Sequence, residues 1–126
     1  MIYLLLILLD KIVKTILLIN NISSINRGLI LGIKLNQFLI IILSIIILTL
    51  LMYSKRYLIK VEIGFNIIIC GILMNLSDRI LWGGVLDYFR FFNILSYNIA
   101  DLFILVGIVW ISIFFILSNA KLSFKS

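Results

Sequence analysis

Residues 38–53 read FLIIILSIIILTLLMY, an apolar run with no charged side chain in it. It leaves few folds open. The hydrocarbon core of a bilayer is about 30 Å thick and takes roughly 20 apolar residues at helical rise. Counting its flanks, this segment (36–53) has the length and composition of a membrane-spanning helix. Three further segments read the same way: 1–19 (MIYLLLILLDKIVKTILLI), 61–80, which starts VEIGFNIIICGILM and turns polar at NLSDR, and 99–118 (IADLFILVGIVWISIFFILS). The expected fold class is an all-α integral membrane protein with four transmembrane helices.

Composition agrees. Hydrophobic residues make up 64% of the 126-residue chain, against about 45–50% in ordinary domains, and the mean hydropathy is +1.31. One membrane-embedded domain over 1–126 is expected. The net charge of +6 then points to basic loops against anionic lipid, and to no nucleic-acid partner. With no histidine in the chain, Ser-His-Asp and Cys-His catalysis and imidazole-based zinc sites are excluded. The single cysteine, Cys70, allows no internal disulfide and reads as a small buried hydrophobe. The first segment has no basic lead and no A-x-A site after it, so it reads as a retained span rather than a cleaved signal peptide.

Three connections join the spans. Residues 20–35 (NNISSINRGLILGIKL) alternate weakly and suggest a short hairpin or cradle of strands, the small extracytoplasmic β element of the expected fold. Residues 54–60 form a tight basic loop. Residues 81–98 form an aromatic, glycine-containing connector. With four spans the termini share a side with Lys55, Arg56, Lys60, Lys121 and Lys125, while Arg27, Lys34, Arg79 and Arg90 fall on the other. The positive-inside rule places the termini in the cytoplasm by one charge.

The chain has only five acidic residues: Asp10, Glu62, Asp78, Asp87 and Asp101. A carboxylate at membrane depth is costly and is a functional hypothesis by default. In the expected topology Asp87 follows the third span and Asp101 opens the fourth, so the two can meet near the outer face. Like charges a few ångströms apart favour sharing one proton. The ionised member can take a proton from water and the protonated member can donate to a carbonyl oxygen, with no histidine or metal involved. Structural readings stand beside this one. Asp87 can cap a turn, Asp101 can cap the fourth helix, and Asn98 is an equally good cap. Asp10 and Lys14 lie one helical turn apart and can pair within the first span, a structural role.

Several stretches resemble lipoprotein signal peptidase (signal peptidase II). CGILMNLSDRILWGGVLDYF, residues 70–89, is similar to that family's Gly-x-x-x-Asn-x-x-Asp-Arg pattern followed by Gly-x-Val-x-Asp-Phe. Gly71, Asn75, Asp78, Arg79, Gly83, Val85 and Asp87 are in register, with Tyr88 for Phe. YNIAD, residues 97–101, resembles the family's Phe-Asn-x-Ala-Asp. Asp10 and Lys14 match an Asp-x-x-x-Lys, and NRGLILG at 26–32 resembles a loop of the form Asn-x-Gly-Ala-Ala-Phe-Gly/Ser.

The resemblance implies a membrane aspartyl endopeptidase that removes signal peptides from diacylglyceryl-modified prolipoproteins, cutting just before the lipid-bearing cysteine. Asp87 and Asp101 would be the catalytic dyad. Asn26, Gly28, Asn75, Arg79 and Asn98 would bind substrate or support the dyad, and Asp10, Lys14 and Asp78 would be structural. Asp78 and Arg79, adjacent on a helix, would point to different sides. No cofactor and no metal are expected, and the partners are the prolipoprotein and membrane lipids, with the enzyme a monomer. The implied localisation is the cytoplasmic membrane, with the active site at the outer face. Two rivals remain: a non-catalytic relative that binds lipidated or signal-peptide helices, and a four-span channel or transporter subunit using its carboxylates for ions.

Overall fold

A computed structural model of the chain describes residues 2–27, 36–91 and 95–123. Four helices carry it: α1 (Ile2–Ile19), α2 (Gln37–Lys55), α3 (Glu62–Trp82) and α4 (Ile99–Ser123). A one-turn 3-10 helix, Ile59–Val61, leads into α3. Isoleucine is a mediocre helix former in water, yet α2 is full of it. In lipid the backbone has no other hydrogen-bond partners than its own, and helix is the conformation that satisfies them all within one segment.

By length and composition, α2, α3 with its 3-10 lead, and α4 up to Ser118 are able to cross a membrane. The count is three rather than the four expected from sequence. Asp10, Lys11 and Lys14 all fall within α1; its apolar residues are those of an ordinary span, and it is the three charged side chains in eighteen residues that set it apart from the other helices.

Helix α3 is the central element and packs against α1, α2 and α4. Of its most apolar stretch 39% is buried, against 6% for α2 and 11% for α4, so the outer helices turn most of their surface to lipid. Cys70, Met74 and Ala100 form a buried cluster, flanked by Leu6, Ile7 and Phe103. Cys70 is thus the buried small side chain read from sequence.

The α3–α4 contact is close because small residues face it, the usual device where lipid removes the hydrophobic drive between helices. A Cβ added to Gly71 would stand 2.5 Å from the Ala100 carbonyl oxygen, and one on Gly107 would stand 2.7 Å from that of Gly64. Both obstacles are backbone, which cannot swing aside. Gly71→Ala should therefore destabilise the protein by about 1–3 kcal/mol, the usual range for overpacking. Reversible unfolding in mixed micelles measures it, and an unchanged midpoint would contradict the close approach.

The small β element sits where α1 and α3 end and where α2 and α4 begin. Strand β1 (Ser24–Asn26) pairs antiparallel with β2 (Val85–Asp87), in the register Ser24–Asp87, Ile25–Leu86, Asn26–Val85. Strand β3 (Phe89–Phe91) pairs antiparallel with β4 (Leu95–Tyr97), in the register Phe89–Tyr97, Arg90–Ser96, Phe91–Leu95. The partner of the 20–35 segment is thus the 81–98 connector. Of the hairpin expected within 20–35, only the stretch to Arg27 is described, and residues 28–35 lie outside the described residues. Gly83, in the left-handed region at φ 67, closes α3 and turns the chain into β2, its N–H bonded to the Arg79 carbonyl at 3.1 Å. Glycine carries no steric penalty there.

Candidate active site

Two carboxylates meet at the β end of the bundle, one from a strand and one from a helix. Asp87 is the last residue of β2 and is 3% exposed. Asp101 lies in the first turn of α4. Asn98, fully buried, stands between them. Its side-chain Nδ2 donates to Asp87 Oδ1 at 3.1 Å, and its backbone N–H donates to Asp101 Oδ2 at 3.1 Å. In return the Asp101 N–H donates to Asn98 Oδ1 at 3.3 Å. This reciprocal pair is a capping box, with Asn98 as the cap and Asp101 three residues on. The capping expected of Asp101 and Asn98 is therefore one device, and it aims Asp101 toward Asp87.

Asn75, from α3, completes the link. It donates from Nδ2 to Asp101 Oδ1 at 2.8 Å and accepts at Oδ1 from Asn98 Nδ2 at 3.1 Å. Asn26 reaches Asp87 from β1, donating to Oδ2 at 2.8 Å. The register explains this: Asn26 lies opposite Val85, so Asp87 is its diagonal neighbour on the same face. Arg79 donates to Gln37 Oε1, on α2, at 3.0 Å, and its guanidinium feels the charges of Asp87, Asp101 and Asp78. A positive charge near two carboxylates reduces their mutual repulsion. Gln37 in turn donates to the Arg27 carbonyl.

The structure thus brings together Asp87, Asp101, Asn26, Asn75 and Asn98, with Arg79 beside them. Gly28 lies outside the described residues. Among the described residues there is no group of three or more metal-ligating side chains.

Two contacts were not anticipated from sequence. Ser96 Oγ donates to Asp87 Oδ2 at 3.0 Å. The Tyr88 hydroxyl accepts the Ile99 N–H at 3.2 Å, satisfying a backbone group at the start of α4 that has no partner inside the helix. Burial pushes the Tyr88 hydroxyl above its usual range, so it stays neutral in this role.

A second polar cluster supports the first. Lys14 is fully buried and pairs with Asp10 at 2.9 Å and with Asp78 at 2.7 Å. Lys11 also pairs with Asp78, donates to the Met74 carbonyl at 3.0 Å, and lies 5.1 Å from the centre of the Trp82 ring. The four side chains balance to zero charge. The intrahelical pair read from sequence is present, and Asp78 extends it across to α3. Asp78 also accepts the Leu86 N–H at 3.4 Å, one residue before Asp87. Asp78 and Arg79 do point apart, Asp78 to α1 and Arg79 to α2. The quartet therefore ties α1 to α3 and steadies β2 just where Asp87 leaves it.

Comparison with known proteins follows the same lines. The family described as signal peptidase (SPase) II matches over residues 2–117. A lipoprotein signal peptidase of Clostridioides difficile is 36% identical over 119 residues, spanning 86% of this chain and 80% of that protein. One from Clostridium acetobutylicum is 32% identical over 107 residues, spanning 76% of this chain and 69% of that protein. A solved bacterial membrane enzyme superposes with a TM-score of 0.82 at 23% identity, covering 95% of this chain and 88% of that one; at that identity the likeness speaks for the fold.

Proposed function

Because the chain belongs to the signal peptidase II family, we propose that it is an aspartyl endopeptidase of the cell membrane that removes signal peptides from diacylglyceryl-modified prolipoproteins. The observation that carries the reading is one fully buried asparagine, Asn98, hydrogen-bonded to carboxylates from two different elements. A capping residue alone needs one carboxylate. Two, with Asn26 and Asn75 each donating to one of them, form a pair built to face a common point.

In this reading Asp87 and Asp101 share one proton, with water between them. The ionised carboxylate takes a proton from the water as its oxygen attacks the scissile carbonyl carbon. The protonated carboxyl gives its proton to the carbonyl oxygen, forming a tetrahedral diol. Collapse breaks the C–N bond, a proton passes to the leaving nitrogen, and the dyad returns to its shared-proton state. Asn26, Asn75, Asn98 and Arg79 hold the carboxylates for these transfers. Among the described residues each strand of the β element pairs with one neighbour, and such an edge is suited to pair with an unwound stretch of substrate, which a helical signal peptide must supply before a carboxylate can reach its backbone.

Helix α1 acts as a fourth span. Its charges are neutralised within the quartet, so they need not face lipid. The whole chain then works as one domain and as a monomer, with cytoplasmic termini and the dyad at the outer face, where water and the lipid-bearing cysteine both reach it.

Expression in bacteria depleted of their own lipoprotein signal peptidase tests the activity. Restored conversion of prolipoprotein to the mature form is the expected result. Prolipoprotein accumulating as it does with an empty vector would replace this reading by the binding-only relative.

A further inference from the structure

Among the described residues, three side chains donate hydrogen bonds to Asp87, and their chemistry is not equivalent. Asn26 Nδ2 donates to Oδ2 at 2.8 Å and Asn98 Nδ2 donates to Oδ1 at 3.1 Å. An amide nitrogen can only donate. The third partner is the Ser96 hydroxyl, at 3.0 Å from Oδ2, and a hydroxyl donates or accepts by rotating its proton.

We propose that Ser96 is a positioning residue for Asp87, whose hydroxyl serves the carboxyl group in both protonation states. The inference rests on the reading of Asp87 as a dyad member. While Asp87 is ionised, Ser96 donates to it. When Asp87 is protonated and its proton rests on Oδ2, that proton is directed to Ser96 Oγ, which accepts it as a hydrogen bond while keeping its own proton turned away. At Oδ2, Asn26 and Ser96 take both acceptor positions, and of these two donors only the hydroxyl can turn to accept a proton held there. Ser96 thus holds the carboxyl at one rotation while its proton comes and goes.

Strand geometry puts the hydroxyl there. Side chains alternate along a strand. On β4 and its extension the order is Ser96, Tyr97, Asn98. Tyr97 turns to the outer face and stacks on Phe89, with ring centres 5.3 Å apart. Ser96 and Asn98 share the opposite face, and both donate to Asp87. The β3–β4 register, with Phe89 opposite Tyr97 and Arg90 opposite Ser96, fixes which residue falls on which side.

The test compares the full chain with Ser96→Ala, Ser96→Thr and Asp87→Asn, purified in detergent, on a diacylglyceryl-modified prolipoprotein, with kcat and KM normalised to folded protein by gel filtration. Ser96→Ala should lower kcat about 10-fold, the loss expected for one hydrogen bond to a charged group, with KM near the parent's. Ser96→Thr, which keeps the hydroxyl, should restore most of that kcat. A parental kcat in Ser96→Ala, a loss that Thr leaves in place, or a loss carried by KM would each overturn the role. Parental kcat in Asp87→Asn would instead mean that the dyad reading itself has failed.

Discussion

Asp87→Asn and Asp101→Asn should each lower the rate of signal-peptide release by about 10³-fold or more, since each acid–base group contributes about 10²–10⁴-fold and neither half of the exchange works without the other. Asparagine keeps the size and shape of the side chain but can neither take up nor release a proton at neutral pH. Its fit at the two positions differs. At 87 an amide can keep its oxygen toward Asn26 and Ser96, which both donate to Oδ2, and present its NH₂ to Asn98. One donor then meets another, and Asn98 must turn. At 101 both oxygens likewise face donors, Asn75 Nδ2 and the Asn98 N–H, but there the second is half of the capping box of α4, so a misplaced amide also strains the start of that helix. Asp87→Asn is therefore the cleaner variant. It should fold nearly as the parent does and still release essentially no product, as read by mass spectrometry of the reaction with gel filtration as the control for folding. A rate within a few fold of the parent's would remove Asp87 from the chemistry.

The second large effect is on stability. Lys14→Met leaves Asp10 and Asp78 buried with Lys11 as their one remaining cation in the quartet. Breaking a buried pair by removing one partner destabilises by about 3–5 kcal/mol, because a charge is left uncompensated. Asp78→Asn should harm comparably, with an excess of cations, while keeping an oxygen for the Leu86 N–H. The double variant Lys14→Met, Asp78→Asn returns the cluster to neutrality, with Asp10 and Lys11, 3.8 Å apart in the parent, left to pair. It should be more stable than the sum of the singles by about 1–3 kcal/mol, a coupling typical of groups in one network. Unfolding midpoints in mixed micelles for the four proteins close the cycle. Strict additivity would mean that the four side chains do not act as one unit. Because Asp78 also holds Leu86, the single variants should lose activity along with stability.

The sites that sequence made visible share a property: they lie where an apolar background leaves a polar residue nothing else to do. Asp87 and Asp101 stand out for that reason, Asn98 as a helix cap and Asn75 through the resemblance to signal peptidase II, and all four converge. The four helices follow from the apolar runs, and their ends fall within a few residues of the expected ones, except at the C-terminus, where α4 continues past 118 to Ser123. Strand pairing was less legible. β1 and β2 are three residues each and more than two helices apart along the chain, and nothing local in either names its partner. Lys11 carries no pairing signal with Asp10, its neighbour in sequence, because adjacent helical residues do not face each other. The signal was its spacing from Lys14: three residues apart on one helix, both reach Asp78. Ser96 was hidden among aromatic residues, although the order serine, tyrosine, asparagine is the period-two alternation of a half-buried strand. The Tyr88 hydroxyl has no sequence signal beyond its departure from the family's phenylalanine, since its partner is a backbone N–H.

In the proposed function this protein cuts lipidated prolipoproteins with the pair Asp87 and Asp101. The most direct measurement is the product mass after purified protein is incubated with a diacylglyceryl-modified prolipoprotein, beside the same reaction with each aspartate changed to asparagine. The expected product is a released signal peptide ending at the residue before the lipid-bearing cysteine, from the parent alone. A parent that binds the substrate and leaves it whole, or an aspartate variant that yields the same peptide at a comparable rate, would contradict it.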